Sequence, residues 1–198
     1  MTTSFFKANP DIIKPYALMD LDDTLFQTQR KIDAWDLPTT EPETLVCATV
    51  NKQDEPLSFM SQRQATFFNW LLASTELIVV TARDRSEIKR VKLPFDSWQV
   101  LTHGAIILTS DGALLSSWQQ HMYSKLATLQ VKLTKLSQLF ASHSQSEQSH
   151  LVFTPHIDSF NNGSMDEELT IYLAIKHAQK DHQALVDLAE KLPTLIRD

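Results

Sequence analysis

The sequence predicts an α/β protein in two parts: a parallel-sheet layer, then a smaller layer of order α-β-β-α. Three observations lead there. "YALM" (Tyr16 to Met19) and "LIVVT" (Leu77 to Thr81) are short, continuous apolar runs, the pattern of strands covered on both faces of a parallel sheet. A capped helical segment lies between them. Near residue 117 the pattern changes to a long amphipathic helix followed by strands that alternate apolar and polar residues.

In chain order, "TLVCATV" and "PLSFMS" flank the polar turn "NKQDE" and read as a β-hairpin. Ser61 and Gln64 have capping-box spacing and open a helix over 62–73, with Ala65, Phe68, Leu71 and Leu72 on one side. After the strand ending at Thr81, "RSEIKRVKL" reads as a short helix and "SWQVLT" as a third strand. This βαβαβ order with short connections implies right-handed crossovers. Asp111-Gly112 between apolar runs signals a further hairpin. Leu126, Leu129, Leu133, Leu136 and Phe140 step by three and four, which predicts one helix over 119–141 with a buried leucine stripe. "SHSQSEQSH" reads as a polar loop, and "LVFT" and "LTIYLAI" as strands joined by a polar loop over 154–165. Ala184, Leu185, Leu188 and Leu192 predict a last helix. The change of pattern divides the chain into 1–117 and 118–198.

Composition narrows the function. Of 198 residues, 42% are apolar and 21% charged, an ordinary globular balance. The net charge is −6 with no run of Lys or Arg, so neither nucleic acid nor an anionic membrane is the expected partner. Cys47 is the single cysteine, so no intrachain disulfide is possible. The N-terminus lacks an apolar signal core and no apolar run is long enough to span a membrane, so a soluble, cytoplasmic protein is expected. With three glycines there is neither GxGxxG nor GxxxxGK[ST], so no glycine cradle holds a phosphate. HExxH and CxxC are also absent and the histidines are scattered, so zinc has no support.

The chemistry concentrates in "YALMDLDDTLFQT". Ligands of parallel sheets sit at the carboxyl ends of the strands. Asp20 and Thr81 both close a buried-type run at that edge. If the two strands are neighbours, a carboxylate and a hydroxyl converge on one crevice. Clustered carboxylates repel one another, and such a cluster persists when a cation neutralises it; oxygen donors suit Mg²⁺. An ionised Asp can attack phosphorus, and a second Asp two residues on can move protons.

"DLDDTLF" resembles the DxDx[TV] motif of the haloacid dehalogenase-like phosphohydrolases through Asp20, Asp22 and Thr24. "LIVVTAR" is similar to that family's second motif, and "THGAIILTSDGALL" to the segment leading into the cap in its sugar-phosphate phosphatase branch. The resemblance covers roughly residues 14–117. It implies a Rossmann-like core with an α+β cap, and a Mg²⁺-dependent phosphatase acting on a small phosphorylated metabolite. Asp20 would be nucleophile and Mg²⁺ ligand. Asp22 would be general acid/base and lend Mg²⁺ its main-chain carbonyl. The Leu21 amide and Thr81 would hold the phosphate, and Arg83 and His103 would be candidate substrate contacts. Residues from about 118 would form a lid, with specificity residues in the 154–165 loop.

The residues also carry plainer readings. Asp23 is expected as a loop or capping residue, Thr24 as a brace for the loop, Arg83 as an exposed residue at a helix start and His103 as a hydrogen-bonded loop histidine. Asp166, Glu167 and Glu168 are expected in a solvated loop. The family's later Lys and its GDxxxD motif have no counterpart here. That leaves three readings: a truncated chain (the favoured one), a fragment that needs a partner, and a divergent protein. A non-catalytic scaffold or phosphate-binding domain is the alternative function.

Overall fold

The structure, a computed structural model, describes residues 14–34, 45–144 and 150–195. It separates into two compact units, Met1–Leu115 and Ser116–Asp198. The first 13 residues and most of the expected "SHSQSEQSH" loop (145–149) lie outside the described residues.

The first unit runs β1 (Tyr16–Met19), β2 (Gln27–Thr28), α1 (Gln29–Ala34), β3 (Val46–Val50), β4 (Pro56–Met60), α2 (Gln62–Ser74), β5 (Glu76–Val80), α3 (Arg85–Ile88), β6 (Gln99–Leu101) and β7 (Ile106–Leu108). Its main sheet has the order β1-β5-β6-β7. β1, β5 and β6 are parallel, and β7 turns back antiparallel on β6. The expected α/β class with a parallel sheet is therefore present, in a mixed sheet. β3 and β4 form the expected hairpin, and β2 joins β4 to make a second, three-stranded sheet. The core includes Leu21, Leu25, Phe26, Leu77, Val79, Leu101 and Ile106.

One expectation fails at β1. The apolar run predicts a strand covered on both faces, yet Tyr16 and Leu18 are 69% and 68% exposed. β1 lies at the end of the sheet, and among the described residues it pairs with β5 alone. An apolar run reports hydrophobicity, and position in a sheet is a non-local property that the run does not carry.

Local signals fare better. Ser61 and Gln64 make both bonds of the capping box: Ser61 N–H donates to Gln64 Oε1 (2.9 Å), and Gln64 N–H to Ser61 Oγ (3.2 Å). α2 then buries Phe68 and Leu71. Ser61→Ala is expected to cost about 1 kcal/mol, read as a lower urea midpoint with an unchanged m-value.

The Asp111-Gly112 turn closes as expected. Thr109 N–H donates to the Ala113 carbonyl (2.9 Å), Gly112 takes φ +79°, and Leu108 bridges Leu114. The Thr109 hydroxyl donates to the Asp111 carboxylate and, with the Ala113 N–H, holds it below the ordinary carboxylate value. A carboxylate lowered on folding contributes stability above its unfolded pKa, and that contribution is lost as pH falls through the folded one. Thr109→Val is therefore expected to move the Asp111 titration midpoint upward in a carboxyl NMR titration.

The second unit runs α4 (Ser116–Leu126), α5 (Gln130–Ser144), β8 (Leu151–Asn161), β9 (Asp166–His177) and α6 (His182–Leu195). The single helix expected over 119–141 is two helices joined by a 3₁₀ turn, Ala127–Leu129. Leu126 and Phe140 are buried as expected, but Leu129 falls in the tighter turn and is 43% exposed. Gln130 marks the junction. Its amide donates to the carbonyls of Leu126 and Thr170, both at 3.0 Å, and its own carbonyl accepts from Thr170 N–H. These bonds fix the start of α5 to β9 beside the register shift between His156 and Ile157.

The loop expected over 154–165 is mostly strand. β8 continues to Asn161 and pairs with β9 along its length. Polar residues interrupt the apolar run there because a two-stranded ribbon leaves alternate side chains to solvent. The turn occupies 162–165, where Asn162 Oδ1 accepts from Ser164 and Met165 N–H and Gly163 takes φ +96°. Asp166, Glu167 and Glu168 accordingly open β9 and are not in a loop. In α6 the expected Ala184, Leu185, Leu188 and Leu192 are its part-buried positions.

Candidate functional site

β1 and β5 are parallel neighbours with Met19 opposite Val79. Asp20 and Thr81 thus leave the sheet at the same carboxyl edge, as the sequence predicts. The acidic loop is held by its apolar residues. Leu21, Leu25 and Phe26 are essentially fully buried, and the Leu21 carbonyl accepts from the N–H groups of Thr24 (3.3 Å), Leu25 (2.9 Å) and Phe26 (3.4 Å). Asp23 N–H donates to the Phe26 carbonyl, and Asp23 sits at φ 62°. With the greasy positions turned inward, Asp20, Asp22 and Asp23 are left exposed. This explains why three like charges follow a strand.

Each carboxylate has its own partner. The Thr24 hydroxyl donates to Asp20 Oδ2 (3.0 Å), so Thr24 braces the loop as expected. Asp22 is gripped by Arg83 in a two-pronged fork, Nε to Oδ2 and Nη2 to Oδ1, both 2.8 Å. Asp23 pairs with Lys31.

The Arg83 side chain is only 14% exposed, and its guanidinium lies 5.4 Å from the Phe26 ring centroid. The exposed helix-start role expected for it belongs to no part of this arrangement: Asp84 is the N-cap, and α3 begins at Arg85. Asp84 and Glu87 form a second capping box, visible in "DRSE" as the D-x-x-E pattern and missed in the sequence.

Thr81 is buried. Its hydroxyl accepts from Arg83 N–H (3.2 Å), and its main-chain N–H donates to the Val100 carbonyl (2.9 Å). His103 is exposed, and its main-chain N–H donates to the Thr81 carbonyl (3.4 Å). The backbone at Thr102 and His103 is left-handed, with φ 53° and 55°. Of the expected site residues, the structure brings Asp20, Leu21, Asp22, Thr81 and Arg83 to one edge. It ties His103 to that edge through its backbone.

Among the described residues no group of three His, Cys, Asp or Glu side chains is placed to hold a metal. With Asp22 and Asp23 engaged by cations, the Asp20 carboxylate and main-chain oxygens remain. Mg²⁺ is held in many sites by one or two carboxylates and several waters. The hard oxygen donors here meet the lower end of that requirement.

No model of a known protein family matches the chain, and no curated protein does either. The fold and the edge define an α/β protein whose first acidic loop and buried threonine converge beside one parallel strand pair. Among the described residues, no helix is long and apolar enough to cross a membrane.

Proposed function

We propose that this chain is a Mg²⁺-dependent phosphohydrolase of the haloacid dehalogenase-like kind. It would act on a small phosphomonoester, a sugar phosphate being the leading class. The observation that supports this most is the convergence of Asp20 and Thr81 at the carboxyl ends of adjacent parallel strands.

In the proposed reaction an Asp20 oxygen attacks phosphorus and the substrate alcohol departs with a proton from Asp22. Water then attacks the aspartyl phosphate, Asp22 takes its proton, and inorganic phosphate leaves. Thr81 and the Leu21 amide donate to the phosphoryl oxygens. Bound Mg²⁺, held by the Asp20 carboxylate and the Asp22 main-chain carbonyl, would offset the charge between nucleophile and phosphate. Asp22 has both oxygens in the Arg83 fork, which holds it as a carboxylate and makes its protonated, acid form harder to reach.

That fork favours a second reading, a non-catalytic phosphate-binding scaffold in which Arg83 silences Asp22. One experiment separates them. Turnover of p-nitrophenyl phosphate that requires Mg²⁺ and stops with EDTA is expected for the enzyme. Inorganic phosphate binding without turnover is expected for the scaffold. Turnover indifferent to EDTA would overturn the proposed mechanism.

A further inference from the structure

A cavity of about 740 Å³ opens on the first unit between α3 and the β6–β7 pair. That lies within the roughly 300–1,000 Å³ of small-molecule sites. Its apolar wall is Ile88, Val91, Phe95, Leu108 and Leu114. The lining falls between Arg85 and Leu114, one described stretch of chain. None of Asp20, Leu21, Asp22, Thr81, Arg83 and His103 borders it. Gln99 stands at the amino end of β6, whereas Thr102, beside the candidate site, follows its carboxyl end.

The walls are tied in place. Lys92 N–H donates to the Ala48 carbonyl (2.8 Å) and Val50 N–H to the Arg90 carbonyl (3.0 Å), which fixes this segment to β3. The Phe95 ring stands edge-on to Phe68, with 6.1 Å between centroids. Leu108 pairs with Gln99 and also bridges Leu114.

Two polar groups at this cavity lack partners. Gln99 borders it, and the buried Gln99 Oε1 accepts no hydrogen bond. A buried acceptor left unmade is costly. The last torsion of a glutamine side chain is soft, so rotation of the amide presents this oxygen to a donor in the cavity. Water could fill that role, but it gains nothing from the apolar wall, whereas an apolar body leaving water does. At the rim, the exposed Lys89 ammonium has no carboxylate partner among the described residues. No described lining residue is acidic.

We infer that this cavity is a ligand site, separate from the candidate catalytic edge, for a small amphipathic anion. The ligand has a compact apolar body, an N–H or O–H for Gln99 Oε1, and a carboxylate or phosphate for Lys89. The wall takes the body, the orphan acceptor demands a donor, and the cation selects negative charge. Arg85 also borders the opening, but the anion contact is assigned to Lys89. The site does not rest on the phosphatase reading.

Indoleacetate carries all three features and is the probe. Calorimetric titration of the full chain should show saturable binding, with amide NMR shifts confined to 85–114 and absent at Asp20 and Asp22. N-methylindoleacetate, which lacks only the donor, should bind about fivefold or more weakly. Tryptamine, with an ammonium in place of the carboxylate, should not bind. Lys89→Glu, at an exposed position, should weaken indoleacetate by about tenfold or more. Gln99→Leu should bring indoleacetate and its N-methyl analogue to equal affinity. Absence of saturable indoleacetate binding at millimolar concentration, equal binding of the three probes, or an unchanged affinity in Lys89→Glu would overturn the inference. The three probes on the wild-type chain decide the case if Gln99→Leu does not fold.

Discussion

Asp20→Asn is expected to reduce Mg²⁺-dependent hydrolysis of p-nitrophenyl phosphate by on the order of 10³-fold or more. A neutral amide is a poor nucleophile and a poor Mg²⁺ ligand, so the substitution removes both roles proposed for the residue. The fold should be indifferent to it. Asp20 is exposed, and an asparagine carbonyl can still accept the Thr24 hydroxyl that now bonds Oδ2. The urea midpoint is therefore the control: it should stay within about 0.5 kcal/mol of wild type, the usual range for surface changes. A variant retaining more than about a tenth of the activity would show that Asp20 is not the nucleophile, because loss of a covalent catalyst costs far more than tenfold.

The largest effect on stability is expected at Phe26, with Phe26→Ala costing about 3–5 kcal/mol. The ring is fully buried, so truncation loses its transfer energy and leaves a cavity that the surroundings fill only in part. It also lies beneath the Arg83 guanidinium, so the fork on Asp22 loses its floor. Urea denaturation should show the loss as a lower midpoint. Leu18→Ala, at an exposed apolar position of the same unit, should change it little. Similar losses at the two positions would mean that Phe26 is less confined than the structure places it.

What the sequence disclosed was what neighbouring residues decide among themselves. The Ser61–Gln64 capping box joins residues three apart, and the turns between β3 and β4 and at Asp111-Gly112 are similarly local; each is written in side-chain chemistry at fixed spacing. The edge shared by Asp20 and Thr81 was legible for a related reason, since parallel strands deliver their last residues to one side. The fork between Arg83 and Asp22 joins positions 61 apart, and no local pattern records it. Whether β1 is central or terminal depends equally on distant partners. The split helix near Leu129 escaped because a leucine at the right spacing looks alike in an α-helix and in a 3₁₀ turn; what tightens the chain there is Gln130 binding Thr170, forty residues on. The far end of β8 is not legible locally, because polar residues on the open side of a ribbon mimic a loop.

The pairing of Tyr16 with Glu76 also sets an order of events during synthesis. Every main-chain bond β1 makes to β5 waits for a segment that leaves the ribosome about 60 residues later. At roughly 5–20 residues per second the apolar strand stays without its partner for about 3–12 seconds. β8 and β9 are joined through a turn at 162–165 and meet almost as soon as β9 emerges, since hairpins close in about 1–10 μs. Among the described strands, β1 is thus the one longest at the mercy of chaperones and of neighbouring nascent chains.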